Sequence, residues 1–437
     1  MDKLVIEGGG KLTGSVRVSG AKNACLPILA ATLLTEEECV ITNVPDLKDV
    51  ETMLNILSAL GREVQRSPGE VRVLSGKVNN VTASYDLVST MRASIAVLGP
   101  LLAKFGKAKV SFPGGCVIGQ RPIDLHLKGL RALGAEIQVE GGYLLATAKK
   151  LTGCRLYLGG HFGSSVLATA NILMAAVLAE GETIIENAAC EPELLDLANF
   201  LTSLGARIEG KGTPTIRIKG VSSLSGAKYS VIPDRIEAGT YMIAAVATGG
   251  RIFLEGAEYG HNAALIDKLE EAGGIVEEQT KGLDVYRLQP NIGAIDITTL
   301  TYPGFPTDLQ AQMMTLLCIS EGISVITEKV YPNRFIHISE LNRMGAEIIL
   351  EGATAIIKGV PGLKGAPVMA SDLRASAALV LAGLVARGCT EISRIYHLDR
   401  GYENLEEKLT SLGANVKRIK DSKKNEQANR LTGQPAN

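Results

Sequence analysis

LSALGREV at 57–64, LRALGAEI at 130–137, LTSLGARI at 201–208, LEEAGGIV at 269–276, LNRMGAEI at 341–348 and LTSLGANV at 409–416 are six renderings of one phrase. Their glycines, Gly61, Gly134, Gly205, Gly273, Gly345 and Gly413, lie 73, 71, 68, 72 and 68 residues apart. That period exceeds the roughly 20–50 residues of solenoid repeats, yet it runs through the whole chain. In each copy an amphipathic helix ends at a glycine in the C′ position, where positive φ carries no Cβ strain, and a β-branched strand follows. Upstream of most copies lies a second helix, as in ANILMAAVLAEG at 170–181, YMIAAVATGG at 241–250, QMMTLLCISEG at 312–322 and ALVLAGLVARG at 378–388. These are apolar nearly all round, as expected of helices buried on every face. Strands follow them: ETIIENA, RIFLEGA, ISVITE and TEISRI.

One unit therefore holds two helices, one inside and one nearer solvent, and several strands. Six such units do not share one core, because single cores stop growing beyond about 250–300 residues. The expected fold is α+β, with six βαβαββ-type units, three per lobe, buried helices in the middle of each lobe and sheets outside. The N-terminal strand LVIEG lacks a helix of its own and is expected to complete the sheet of the last unit. Residues 421–437, polar and unpatterned, read as a disordered tail.

Composition narrows the function. Of 437 residues 46% are apolar and 21% charged, which is ordinary globular composition. Forty-five Lys and Arg against 46 Asp and Glu leave a net charge of −1, so no global basic field exists to hold nucleic acid or an anionic membrane. Seven scattered cysteines without a C-x-x-C pair argue against a disulfide framework and a zinc site, and fit a reducing cytoplasm. The opening MDKLVIEGGGKLTG has no signal-peptide core, and the longest apolar run, 375–386, is too short to cross a bilayer. Walker, Rossmann and HExxH patterns are absent.

Two features carry chemistry. SFPGGCVIGQRPIDLH at 111–126 sets Cys116 between glycines in a loop with Arg121; it reads either as a flexible hairpin with an incidental thiol or as a reactive one, with Arg121 a cation that would stabilise a thiolate and attract an anion. Cations also stand at element starts, several of them where the buried helices begin: Lys22 beside Asn23, Arg92 in MRAS, Arg334 after Asn333, Arg374 in SDLRAS after Asp372, and Arg400 in DRG. Together with free helix N–H groups they suit a multiply charged anion. The blander alternative is that Asp or Ser caps the helix while each Arg pairs with a neighbouring carboxylate. FPTDLQAQ at 305–312 puts Asp308 at a helix start, where it is either an N-cap or a base. His126 and His397 read as structural.

The stretches SGAKNACLPILAA, DLVSTMRASIAVLGPL, PGGCVIGQRPIDLH, ENAACEPELLDLANFL, PDRIEAGT, FPTDLQAQ, NRFIHISELNRMGA, SDLRASAALVLAG and IYHLDRGYENLEEKL together resemble the enolpyruvyl transferases, in the branch that serves bacterial cell-wall synthesis. The resemblance covers nearly the whole chain. It implies a two-lobed inside-out α/β barrel, with lobes of about 22–232 and of 1–21 plus 233–420, and a site in the cleft between them. It implies transfer of the enolpyruvyl group of phosphoenolpyruvate to the 3′-hydroxyl of UDP-N-acetylglucosamine, releasing phosphate, with no metal or organic cofactor and neither nucleic acid nor membrane as partner. By motif, Cys116 would protonate the methylene carbon of phosphoenolpyruvate and could hold it covalently, the thiol that the epoxide fosfomycin modifies. Lys22, Arg121 and Arg400 would hold the phosphate, Arg334 and Arg374 the carboxylate, with Asn23 close by. Asp308 would orient and deprotonate the sugar hydroxyl, and Asp372 would lie among the catalytic charges. The sugar nucleotide would meet Asn23, Arg92, Asp308 and Val330, with Arg121, Pro122, Ile123, Asp124 and Leu125 at its uridine end and Gly163, Ser164, Ser165 and Val166 nearby. Two rivals stand beside this reading: the sister enzyme acting on shikimate 3-phosphate, which lacks the PGGC loop, and a catalytically idle protein that binds a UDP-sugar.

Overall fold

A computed structural model describes residues 2–89, 91–112, 123–160 and 163–420. Cys116, Arg121 and Pro122, and the tail 421–437, lie outside the described residues. The chain divides into two compact units, each with its own apolar core. Ser19–Arg235 with Leu300–Gly304 forms the contiguous unit, and the described residues on either side form the split unit. The five residues 300–304, expected with the second lobe, thus group with the contiguous one.

Among the described residues there are six sheets, each of four strands and all of one topology. Ile297–Thr299 lies parallel to Ile323–Glu328, which pairs antiparallel with Thr354–Lys358, which pairs antiparallel with Glu347–Glu351. Between these strands run the inner helix Gln310–Leu317 and the outer helix Ile338–Arg343, so the chain reads βαβαββ. The last sheet closes as expected: Lys3–Glu7 lies between Cys389–Ser393 and Asn415–Ile419, antiparallel to both.

The sixfold phrase has a mechanical explanation. All six glycines have φ between 93° and 105°. The N–H of Gly61 bonds the carbonyl of Ser58 and the N–H of Arg62 that of Leu57, both at 3.0 Å, the two bonds of a Schellman stop. The same pair recurs with Leu130, Leu201, Leu341 and Leu409 as the distant acceptor. In these five phrases the opening leucine therefore supplies the terminal carbonyl, and in all six it is 0–1% exposed and plugs the core.

Inner helices are buried on every face, as their composition requires: all eight residues of Gln310–Leu317 are buried, as are nearly all of Arg235–Thr248 and Leu373–Val385. Truncating one such leucine, Leu379 for instance, typically costs about 2–5 kcal/mol.

Candidate functional site

In the split unit, the chain enters the inner helix Gln310–Leu317 through a 3₁₀ turn, Thr307–Leu309. Asp308 sits in that turn but does not cap the helix. Its carboxylate instead receives Arg334 Nη1 on Oδ1 at 2.7 Å and Arg374 Nη2 on Oδ2 at 2.8 Å. The two arginines, 5% and 4% exposed, come from the loop before the outer helix Ile338–Arg343 and from the first turn of Leu373–Val385. Burial works to raise the Asp308 pKa, but the charges and hydrogen bonds of Arg374 and Arg334 outweigh it and hold the carboxyl well below its usual range. The capping role belongs to Asp372, whose Oδ1 accepts from Arg374 N–H at 2.9 Å and Ala375 N–H at 3.1 Å. Cap and ion pair, the two halves of the bland reading, are thus divided between two carboxylates.

Each guanidinium is held from behind. Arg374 Nη1 donates to Tyr402 Oη at 3.3 Å. Gln312 Nε2 donates to the same oxygen at 3.1 Å and to the Asp308 carbonyl at 3.0 Å. Thr240 spends its proton on the Ile236 carbonyl, so the tyrosine, already accepting twice, donates its own to Thr240 Oγ1 at 2.9 Å. Arg334 Nη1 also reaches Thr307 Oγ1 at 3.0 Å, while its buried Nε–H has no hydrogen-bond partner among the described residues.

Arg400 ends the 3₁₀ turn Ile395–Arg400, half-buried. The pKa of His397 in the same turn is lowered, by burial first and then by Arg400 and Arg394, against Asp372, which works to raise it. His337, 2% exposed with Nε2 3.2 Å from Met314 Sδ, is pushed down to about 4, chiefly by burial. Val330 is half-buried in the loop before Arg334.

In the contiguous unit, Lys22 opens the inner helix Lys22–Ala31 at 8% exposure. Its Nζ pairs with Asp49 Oδ2 at 3.0 Å and its main-chain N–H donates to Asp234 Oδ2 at 3.2 Å. Asn23 and Arg92 are half-buried, and Arg92 opens the 3₁₀ segment Arg92–Val97 leading into the helix Leu98–Phe105. Ile123 stands just before the outer helix Asp124–Ala132 without capping it, and in that helix Asp124 is exposed and Leu125 9% exposed. His126 is a core residue: its Nδ1 lies 2.9 Å from Asn171 Nδ2, and burial, then Arg92, lower its pKa to about 3. Gly163 has φ +89°, Ser164 and Val166 are half-buried, and Ser165 caps Val166–Ala176 through its hydroxyl.

The structure thus brings Asp308, Arg334 and Arg374 together. The residues supporting them, Thr240, Thr307, Gln312 and Tyr402, escaped the sequence reading, although Thr307 and Gln312 flank Asp308 in FPTDLQAQ and Tyr402 follows Arg400 in DRGY. Among the described residues, no group of three His, Cys, Asp or Glu is placed to hold a metal ion, and no helix is long and apolar enough to cross a membrane.

Comparisons with known proteins bear on this arrangement. A UDP-N-acetylglucosamine 1-carboxyvinyltransferase of Desulfosudis oleivorans is 55% identical over 96% of this chain and 100% of its own length. UDP-N-acetylglucosamine 1-carboxyvinyltransferase 2 of Carboxydothermus hydrogenoformans is 56% identical with the same coverage. Among solved structures, the enolpyruvyl transferase NikO from Streptomyces tendae superposes with a TM-score of 0.86 at 25% identity, over 96% of this chain and 99% of that one. An EPSP synthase from Acinetobacter baumannii, 20% identical, shares the fold with a TM-score of 0.76, over 96% of this chain and 100% of that one. The family profile described as EPSP synthase (3-phosphoshikimate 1-carboxyvinyltransferase) matches residues 6–409, and with these likenesses the chain belongs to the enolpyruvyl transferase family.

Proposed function

We propose that this protein transfers the enolpyruvyl group of phosphoenolpyruvate to the 3′-hydroxyl of UDP-N-acetylglucosamine and releases phosphate, the step that commits the sugar nucleotide to peptidoglycan precursor synthesis in the cytoplasm. The observation carrying this reading is the likeness to carboxyvinyltransferases of that name, at 54–56% identity over the whole length or nearly the whole length of each. The EPSP synthases among the solved structures share the fold at 20% identity.

The chemistry suits these charges. Phosphoenolpyruvate carries a carboxylate and a phosphate. In this reading Arg334 and Arg374 take the carboxylate, and Lys22, Arg121 and Arg400 the phosphate. While both guanidiniums hold Asp308, its carboxylate is a weak base. An arriving carboxylate gives them a second anion, loosens their hold and raises Asp308's proton affinity where a proton must be removed. Asp308 then takes the 3′-hydroxyl proton, the oxygen bonds to C2 of phosphoenolpyruvate, and Cys116 delivers a proton to C3. Loss of that proton from C3 and of phosphate from C2 regenerates the vinyl group on the sugar. The buried guanidiniums offset the charge that develops on the way.

The test is phosphate release from phosphoenolpyruvate, measured separately with UDP-N-acetylglucosamine and with shikimate 3-phosphate. Release with the sugar nucleotide alone supports the reading. Release with shikimate 3-phosphate alone makes this the sister enzyme, and none with either makes it a binding protein.

A further inference from the structure

At the end of the strand Ile323–Glu328, the side chain of Glu328 is 1% exposed and receives four hydrogen bonds. Oε1 accepts from Thr299 Oγ1 at 2.6 Å and from the main-chain N–H groups of Val330 and Tyr331, both at 2.8 Å. Oε2 accepts from Thr307 Oγ1 at 2.9 Å. Thr299, its register partner on the parallel strand, in turn accepts the N–H of Lys329 at 3.0 Å. A carboxylate buried this deeply is tolerated only when such donors replace water.

The direction of these bonds matters. Thr307 has one hydroxyl proton and gives it to Glu328, so its remaining lone pairs face Arg334 Nη1, which donates to it at 3.0 Å. Asp308 is the next residue and accepts the same Nη1 at 2.7 Å. One carboxylate therefore fixes two things: the 329–331 turn that carries Val330, and the hydroxyl against which the Arg334 guanidinium rests.

We propose that Glu328 is a positioning residue for both substrates, setting the sugar-nucleotide contact through the Val330–Tyr331 turn and the phosphoenolpyruvate contact through Thr307 and Arg334. The proposal rests on the function proposed above. A loop staple that serves stability alone would have the same four bonds, so the test must separate position from folding. Glu328→Gln keeps the shape but removes the charge and one of the two acceptor oxygens, leaving a single oxygen for four donors. Thr307→Val removes only the branch toward Arg334.

Steady-state kinetics on the folded fraction, with hydrogen exchange of the ligand-free protein, decide the matter. Glu328→Gln should raise KM for phosphoenolpyruvate and for UDP-N-acetylglucosamine roughly tenfold each, the loss expected for one charge-assisted bond. Thr307→Val should raise KM for phosphoenolpyruvate alone, and the double variant should bind it no worse than Glu328→Gln. Amides of 330–331 should exchange faster in Glu328→Gln and as in the parent in Thr307→Val. Unchanged KM values in a folded Glu328→Gln enzyme would overturn the proposal. If Glu328→Gln does not fold, an unchanged phosphoenolpyruvate KM in Thr307→Val overturns it and a selective rise upholds it. If the parent protein turns over neither substrate, the proposed function fails, and exchange alone then judges whether Glu328 sets the turn: faster exchange upholds that role, unchanged exchange refutes it.

Discussion

Replacing Asp308 with asparagine keeps the size of the side chain but leaves two guanidiniums, 5% and 4% exposed, facing each other without their shared counter-charge. Removing one member of a buried pair typically costs about 3–5 kcal/mol, whereas exposed pairs contribute about 0–1 kcal/mol. The Asp308 side chain is 25% exposed, so water relieves part of the loss, and we take about 2–3 kcal/mol. For a unit of this size each kcal/mol shifts the melting temperature by about 2–4 °C, so the split unit of Asp308→Asn should melt about 4–12 °C below the parent. Differential scanning calorimetry at pH 7 and low salt measures this. The pH dependence has a definite sign. A carboxyl whose folded pKa is held well below its unfolded value of about 3.9 contributes stability above that value and loses it as pH falls through the folded pKa. The gap between parent and variant should therefore be flat from pH 5 to 8 and narrow below about pH 4. Inorganic phosphate should raise the melting temperature of the variant more than that of the parent, because the vacated guanidiniums then bind it. A variant that melts at or above the parent temperature would refute the reasoning, since the carboxylate would then be a burden on the fold rather than the clamp between two arginines.

Tyr402→Phe removes the oxygen bonded by Arg374, Gln312 and Thr240; we expect kcat/KM for phosphoenolpyruvate to fall about tenfold with the structure intact, and equal values would count against this tyrosine as a support for Arg374. Gly205→Ala places a Cβ at φ +105° with nothing within 4 Å of it, so urea unfolding should show a loss of about 1 kcal/mol from backbone strain, with turnover unchanged. Cys116, which lies outside the described residues, should be alkylated before the six cysteines that are described. Burial raises the pKa of Cys25 beyond the thiol range and pushes that of Cys318 up to about 12, and peptide mapping that finds even labelling would make the loop a bystander.

The repeat was legible because its cause is local. A helix that stops at a glycine needs only the residues within one turn of it, so the phrase, the Schellman bonds and the buried leucine are adjacent in sequence, and six copies announce six units. The apolar inner helices were readable for the same reason. The site was legible only as a set of charges, because its partnerships are distant: Arg334 reaches Asp308 across 26 residues and Arg374 across 66. Spacing alone gave Asp308 and Asp372 equal claims to cap a helix. Which carboxylate turned back to its own N–H groups, and which turned out to an arginine, is settled by neighbours that helix-start patterns do not encode. Thr240, Gln312, Glu328 and Tyr402 were harder still, since a buried polar residue carries no pattern until its hydrogen bonds are seen.

The strand Lys3–Glu7, held between Cys389–Ser393 and Asn415–Ile419, has a consequence for how the protein is made. Glu7 bonds Asn415 across 408 positions of chain, so the sheet that holds Lys3–Glu7 cannot close until Asn415–Ile419 has left the ribosome. The contiguous unit, by contrast, needs little beyond residue 235 and can assemble while translation continues. For roughly two hundred further residues, at about 5–20 residues per second, the strand with the alternating apolar positions Leu4 and Ile6 must wait without either of its partners. During that interval it is an open edge that any other strand could occupy, which is where a holding chaperone would have most to do.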